Sequence, residues 1–373
     1  MKRVLALVLA VCMLVVFLPA CGSSTPQPAP ETPKAQTAED LGVDLSKEVV
    51  GGQKEGAEYN FAIVYGGVHP FFDPWLFGAQ QAALDLGIPI PIVTSPQNWD
   101  QTEQNVIIDG LVAGGINGIG MFPSDAVAGN EKISELVGMG IDVVTLGGSP
   151  ATPSDATFCY ATDVGASVAF ATQAIIDELK AQGKTEGKLL HLCSSLADTN
   201  TQKRQAAINE VLAKPENAGF VLEWELADTD ATEPAEEAIS AMYASYIDQV
   251  DGIVCTGYVN AQVLGKTMNE RGTNDGVVAI GIDDSADVLA AIDNGYMKGT
   301  MTQSAWAMGY VGIYALKLLA DGYTIKPDVP FFIDSGYFLL TQEGLPAYAE
   351  SQQKMAYDFV STMADKYFNP PAN

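Results

Sequence analysis

Side chains able to do chemistry are sparse in this chain, and their spacing argues for recognition instead of catalysis. His69 and His191 are the only imidazoles among 373 residues, which leaves neither a histidine-based triad nor a histidine metal cluster in view. Cys159, Cys193 and Cys255 are spaced too widely and irregularly for a disulfide framework or a zinc pattern. Cys193 and Cys255 end apolar runs and are expected as buried free thiols. Gly265-Lys266-Thr267 has the tail of a phosphate loop, but the loop needs glycine at 260, where Asn260 stands. Gly115, Gly118 and Gly120 precede and enter an apolar run instead of leaving one, the wrong context for a dinucleotide fingerprint. Hydrolysis by paired carboxylates stays open only in principle, because Asp and Glu total 46. No enzymatic activity, cofactor or metal is expected. What remains is a set of polar and aromatic residues just beyond apolar runs: His69, Phe71 and Phe72; Ser124 and Asp125; Ser194 and Ser195; Tyr258 and Asn260; Asp283 and Asp284.

The elements that must carry these residues alternate. Short apolar runs at Phe61 to Tyr65, Ile90 to Val93, Gly118 to Met121, Val143 to Leu146, Leu189 to Cys193, Phe220 to Leu222, Ile253 to Cys255 and Val277 to Ile282 are separated by segments of helical period. That alternation predicts an α/β protein with parallel sheets and crossover helices. Trp75, Ala79, Ala82 and Leu86, and likewise Met308, Val311, Ala315 and Leu318, form stripes expected to be core faces. The pattern occurs once before and once after about residue 163, which predicts two similar lobes. In open parallel sheets ligands bind beyond the carboxyl ends of strands. Two such rims facing each other would form a polar cleft. His191, inside a run, is expected as a satisfied core histidine, and Asp284 as a cap of the helix that follows. The four tryptophans are expected in packing roles, although Trp99 could close over a ligand.

Met1-Lys2-Arg3 followed by the apolar stretch Val4 to Phe17 reads as a secretory signal, too short to span a bilayer as a mature helix. Pro26, Pro28, Pro30 and Pro33 among Ser, Thr, Gln and Ala then read as a flexible tether reaching about 35 Å on average. The whole chain is 47% apolar and 17% charged, as in globular proteins. Losing Lys2 and Arg3 takes the formal charge from −27 to −29, which makes nucleic acid a poor partner and leaves a small neutral ligand open.

Leu18-Pro19-Ala20-Cys21 resembles the cleavage and lipidation box of bacterial lipoproteins, which implies that Cys21 carries lipid and anchors the chain to the bacterial membrane on its extracytoplasmic side. The body resembles the ribose- and galactose-type sugar-binding proteins of bacterial ABC importers, the type I periplasmic binding fold. The resemblance is carried in order by FAIVYGGVHPFFDPWLFGAQQAALDLG from Phe61, NGIGMFPSDA from Asn117, VAIGIDDS from Val278 and GTMTQSAWAMG from Gly299. It implies that Phe71 or Phe72 packs on a sugar ring, one facing the ligand and one the core. It also implies that Arg204, Asp283 and Gln303 hydrogen-bond hydroxyls, that His69 reaches the ligand, and that either Tyr258 or Asn260 does so. Gly147-Gly148 stands where the ribose type has Asp-Arg, so two polar contacts are missing or replaced. Ala227-Asp228-Thr229-Asp230 stands where an aromatic is frequent. The implied ligand is a monosaccharide or polyol other than ribose.

The resemblance implies two Rossmann-like lobes joined by three crossover strands, with crossings near Asp163, Gln303 and Pro330. The expected division is a signal (1–20), a lipidated cysteine and linker (21–58), one lobe from 59–163 plus 304–330, a second from 164–303 plus 331–345, and a helical tail (346–373) running from Pro346 to about Tyr367. The expected function is a monomeric substrate-binding lipoprotein that closes on its ligand and delivers it to an ABC permease. The alternatives are a sensor component, presenting its ligand to a chemoreceptor or kinase or capturing a furanose-like signal, and a nucleoside-binding lipoprotein.

Overall fold

The computed structural model describes residues 58–196 and 198–372. The expected signal, Cys21 and most of the linker therefore lie outside the described residues. Each apolar run becomes a strand of one of two sheets. The first holds β1 (Phe61–Val64), β2 (Ile92–Thr94), β3 (Gly118–Met121), β4 (Asp142–Leu146) and β5 (Cys159–Ala161), all parallel, in the order β2-β1-β3-β4-β5. The second holds β6 (Gly187–Leu192), β7 (Phe220–Leu226), β8 (Gly252–Cys255), β9 (Val278–Ile282) and β10 (Gly299–Met301) in the equivalent order β7-β6-β8-β9-β10. Each gains a sixth strand at the β5 or β10 edge: β12 (Phe332–Asp334) in the first sheet and the antiparallel β13 (Leu339–Leu340) in the second. The matching orders establish the two similar α/β lobes read from the sequence.

Helices α1 (Asp73–Leu86), α2 (Gln101–Ala113), α3 (Ala126–Gly138) and α9 (Ala305–Ala320) belong to the first lobe. Helices α4 (Val164–Ala181), α5 (Thr199–Leu212), α6 (Thr232–Ser245), α7 (Tyr258–Arg271) and α8 (Ala286–Asp293) belong to the second. Their starts are written in the sequence. Asp100, Asp125, Asp163, Asp198 and Ser285 each accept first-turn amide N–H groups of α2, α3, α4, α5 and α8. The stripe residues Trp75, Ala79, Ala82, Val311 and Ala315 are fully buried, and Cys159, Cys193 and Cys255 are buried free thiols.

The chain passes between lobes at Thr162–Asp163, at Thr302–Ser304 and at Ser335–Phe338. The crossings are laced together. The Thr162 and Ser335 hydroxyls lie 2.9 Å apart, Thr302 N–H donates to the Phe338 carbonyl at 3.0 Å, and Ser335 N–H donates to the Ala161 carbonyl at 3.0 Å. The last crossing falls later than Pro330 because Ile333 is 4% exposed in the first lobe's core, which keeps β12 there. The final helical segment packs on the first lobe. Helix α10 (Tyr348–Tyr367) lies on α9, and β14 (Phe368–Asn369) pairs with β11 (Thr324–Ile325), so Ala356, Met363 and Phe368 complete the first lobe's core. No helix among the described residues is long and apolar enough to cross a membrane.

Helices α1 and α9 meet through two glycines. A Cβ on Gly78 would lie 2.0 Å from the Trp306 carbonyl oxygen, and one on Gly309 would lie 2.0 Å from that of Trp75. Backbone carbonyls cannot rotate aside as a side chain could. Gly309→Ala is therefore expected to lower stability by about 1–3 kcal/mol, read as a lower denaturant midpoint at unchanged slope.

Candidate functional site

Three polar side chains far apart in sequence converge at the carboxyl edge of the second sheet. Asp283, one residue past β9, is 5% exposed, and Gln303 Nε2 donates to its two carboxylate oxygens at 3.0 and 3.2 Å. Gln303 Oε1 in turn accepts Arg204 Nη2 at 3.4 Å. Arg204 comes from α5 and is 7% exposed, and Gln303 sits in the second crossing between the lobes. Asp283 has φ +63°, a left-handed backbone rare for a residue with a side chain. Its amide donates to the Met301 carbonyl at 2.8 Å, and its carbonyl accepts the Thr300 hydroxyl at 2.7 Å, so neighbouring β10 over-determines that conformation.

The electrostatics follow from burial. Withdrawal from water raises the Asp283 carboxyl to about 7, with adjacent Asp284 adding to the rise and Gln303 and Arg204 opposing it. Burial pulls the Arg204 guanidinium below its ordinary value, opposed by Asp198, Asp283 and Asp230. Burial also pushes the Tyr258 phenol up to about 12, with Asp284 and Asp283 contributing. Tyr258 thus sits in the field of the same carboxylates.

Across the cleft, the first lobe presents aromatic rings. The His69 ring centroid is 6.0 Å from that of Tyr258, and His69 also stands edge-on to Phe72 and Trp99. His69 Nδ1 accepts the Phe71 amide at 3.2 Å, so the residue caps the short 3₁₀ turn Pro70–Phe72 and its proton belongs on Nε2. Burial lowers the His69 pKa, with Asp230 opposing. Phe72 is 1% exposed and stacks on Tyr65 at 4.6 Å, whereas Phe71 is half-buried. Of the pair, Phe72 is the one taken up by the core. Asn260 is likewise committed inside its lobe. Its Oδ1 accepts the Gly257 amide at 3.2 Å and its Nδ2 donates to the Thr229 hydroxyl at 3.0 Å, leaving Tyr258 as the residue that meets the other lobe.

Several features escape sequence reasoning. The space above Gly147-Gly148 holds the Phe122 ring. A Cβ on Gly148 would come within 2.8–3.0 Å of three of its atoms, so an aromatic ring fills the space over the glycine pair. Trp99 lies over Gly66 and Gly67 and remains half exposed. In the Ala227–Asp230 stretch no ring is present. Thr229 instead donates to the Cys193 carbonyl at 2.8 Å, and Asp230 accepts the Ser195 amide at 3.0 Å. Asp284 does not cap α8, a role Ser285 takes; its carboxylate accepts the Tyr348 hydroxyl at 2.8 Å. His191 has both ring nitrogens engaged, Nδ1 with Glu225 at 3.0 Å and Nε2 with Thr256 at 2.7 Å. Cys193 lies close enough to this pair to complete a three-ligand group, but the imidazole is already fully bonded as a core histidine. A separate hollow of about 220 Å³ beside the first crossing is lined by Gly147, Ser149, Asp163, Asn200 and Lys203, among others.

Comparison with known proteins agrees with this architecture. The family described as periplasmic binding protein domain matches residues 61–324. The chain is similar to a xylitol-binding protein of Mycolicibacterium smegmatis, 24% identical over 283 residues that cover 75% of this chain and 74% of that protein. It is similar in structure to an ABC transporter solute-binding protein from Burkholderia graminis in complex with D-arabinose (TM-score 0.69, 21% identity, 79% of this chain and 99% of that one). A second such structure, from Clostridium phytofermentans with bound L-rhamnose, has a TM-score of 0.66 at 16% identity, covering 79% of this chain and 98% of that one.

Burial of Asp283 has a consequence for unliganded stability. Its folded pKa, about 7, exceeds the ordinary 3.8, so the folded state holds this proton more tightly than the unfolded chain. The contribution is fully present below about pH 4 and is lost as pH rises through 7. Asp283→Asn should flatten that part of the profile, measured by denaturant unfolding between pH 4 and 8.

Proposed function

Because the chain belongs to the periplasmic binding protein family, we propose that it is the extracytoplasmic solute receptor of an ABC importer, holding a small sugar or sugar-like polyol between its lobes. The observation that carries this reading is the buried chain Arg204–Gln303–Asp283 on one side of a cleft whose other side is aromatic. Sugar hydroxyls both donate and accept, and a guanidinium, an amide and a carboxylate together meet both needs. The C–H face of the ring suits an aromatic surface, a part for which half-buried Phe71 is better placed than Phe72. His69 Nε2 and the Tyr258 hydroxyl supply further polar contacts from opposite lobes. The xylitol, D-arabinose and L-rhamnose of the relatives define the class of ligand to try first.

In this mechanism no covalent bond changes. Ligand groups reach both lobes only when the lobes meet, so binding energy shifts the population toward the closed form, which a permease then recognises. The Cys21 thiol carries the lipid that keeps the receptor at the membrane surface.

Calorimetry with xylitol, D-arabinose, L-rhamnose, D-galactose and D-ribose, alongside mass spectrometry of co-purifying solutes, tests the reading. At least one polyol or sugar is expected to bind; a panel without binding, or turnover of any member, would overturn it. Charge-assisted bonds contribute about 1.5–3 kcal/mol each, so Asp283→Ala should weaken binding at least about tenfold. Ligand hydroxyls favour the ionised carboxylate, so affinity should rise from pH 6 to 8 with proton release on binding. Cys21→Ser should move the protein from the membrane to the soluble fraction; retention at the membrane would exclude the lipid anchor.

A further inference from the structure

The segment after the matched family region, beyond residue 324, makes an additional passage between the lobes. After the third crossing, β13 joins the second sheet and residues 342–347 lie against α8. Gln342 Nε2 donates to the Asp293 carbonyl at 2.6 Å, and Leu345 packs on the second lobe's core. Helix α10 then returns to the first lobe, where Tyr357 meets Trp306 and Tyr310, and Met363 and Phe368 are buried. The lobes are thus joined by four covalent passages instead of the three expected.

The fourth passage is wired to the site from behind. Ser304 Oγ donates to Gln352 Oε1 at 3.1 Å, Gln352 Nε2 donates to the Tyr348 hydroxyl at 3.1 Å, and Tyr348 donates to Asp284 at 2.8 Å. Ser304 follows Gln303, and Asp284 follows Asp283. An outer relay, Ser304–Gln352–Tyr348–Asp284, therefore runs alongside the inner pair Gln303–Asp283. Ser304 is 3% and Gln352 8% exposed, so neither gives up its partner to water without cost. Near the same turn, the Tyr348 ring lies 6.2 Å from Phe338, and a Cβ on Gly336 would lie 3.4 Å from the Met355 methyl, so α10 also abuts the third crossing.

We propose that the start of α10 is a fourth hinge tie, and that Tyr348 is a positioning residue that sets Asp283 for ligand by holding Asp284. The assignment of Asp283 to the ligand rests on the function proposed above; the hinge tie does not. Two readouts separate them. Inter-lobe distances come from spin labels at exposed Glu131 and Glu270, measured in the sugar-free protein, where Tyr348→Phe should broaden or shift the distribution. Tyr357→Phe, lower on the same helix, should leave the distribution unchanged and controls for loss of helix packing. Affinity is then measured for whichever of xylitol, D-arabinose and L-rhamnose binds most tightly. Tyr348→Phe should weaken it about three- to tenfold, the effect of one hydrogen bond. In combination with Asp284→Ala the losses should not add, because both changes break the same contact. Wild-type distances and affinity in Tyr348→Phe, or additive losses in the pair, would overturn the proposal. If none of the three sugars binds, the ligand reading fails while the distances still decide the tie.

Discussion

Most of this architecture answers to one constraint: a carboxylate, Asp283, held almost out of water at the end of a central strand. A buried charge without partners is costly enough that the group either neutralises or acquires hydrogen bonds. Here it does some of each. The Gln303 amide donates to both oxygens, the Arg204 guanidinium stands behind that amide, and the remaining imbalance leaves the carboxyl near neutrality in its titration. Gln303 lies in a crossing between lobes, so the satisfaction of Asp283 is tied to the hinge. The crossings must therefore hold a fixed register. The hydroxyl pair Thr162–Ser335 and the Thr302–Phe338 hydrogen bond supply it.

The first lobe solves a different problem. Its rim is filled by rings that pack edge-on or stacked around Phe72, and glycines make the room. Gly147 has φ +67°, and a Cβ there would meet Trp75 at 2.8 Å while one on Gly148 would strike Phe122. Substituting either glycine would push a ring out of the wall. The glycine pair and the Phe122 ring are thus one feature, and the ring takes the space that longer side chains at 147 and 148 would need.

What the sequence makes legible follows from burial and range. Strands β1, β3, β8 and β9 are buried at every position, so they read as continuous apolar runs, and Asp283 stands out because it follows directly on the last of them. Strands β5, β10 and β12 are three residues long and include small or polar residues, and β13 is only the pair Leu339–Leu340, so no run announces them. Adjacent Phe71 and Phe72 cannot be told apart locally, because the stacking of Phe72 on Tyr65 decides which ring is buried. Asn260 was visible as a position but not in its role, since its partner Thr229 is 31 residues away. The Tyr348–Asp284 contact spans 64 residues and obeys no spacing rule. Cap residues were legible in kind but not always in place, because Asp284 and Ser285 are both good caps and only tertiary contact assigns the role to Ser285.

The charges around Arg204 bear on what the proposed cleft admits. One buried guanidinium faces the fields of Asp198, Asp230 and Asp283, with Asp284 beside the last, in a chain of net charge −27. An anionic solute would meet several carboxylates with a single cation already engaged by Gln303, so its desolvation would go largely uncompensated. A cation would meet a favourable field but would have to displace the hydrogen bond from Gln303 to reach Asp283. In the proposed complex an uncharged polyol would bring no charge to desolvate: its hydroxyls would accept from Arg204 and donate to Asp283 beside Gln303, while its carbon skeleton would lie against the rings opposite. On that proposal, the mismatch between an aromatic wall and a charged one would be the property that selects an amphipathic, neutral guest, and closure of the lobes would make both walls act on it together.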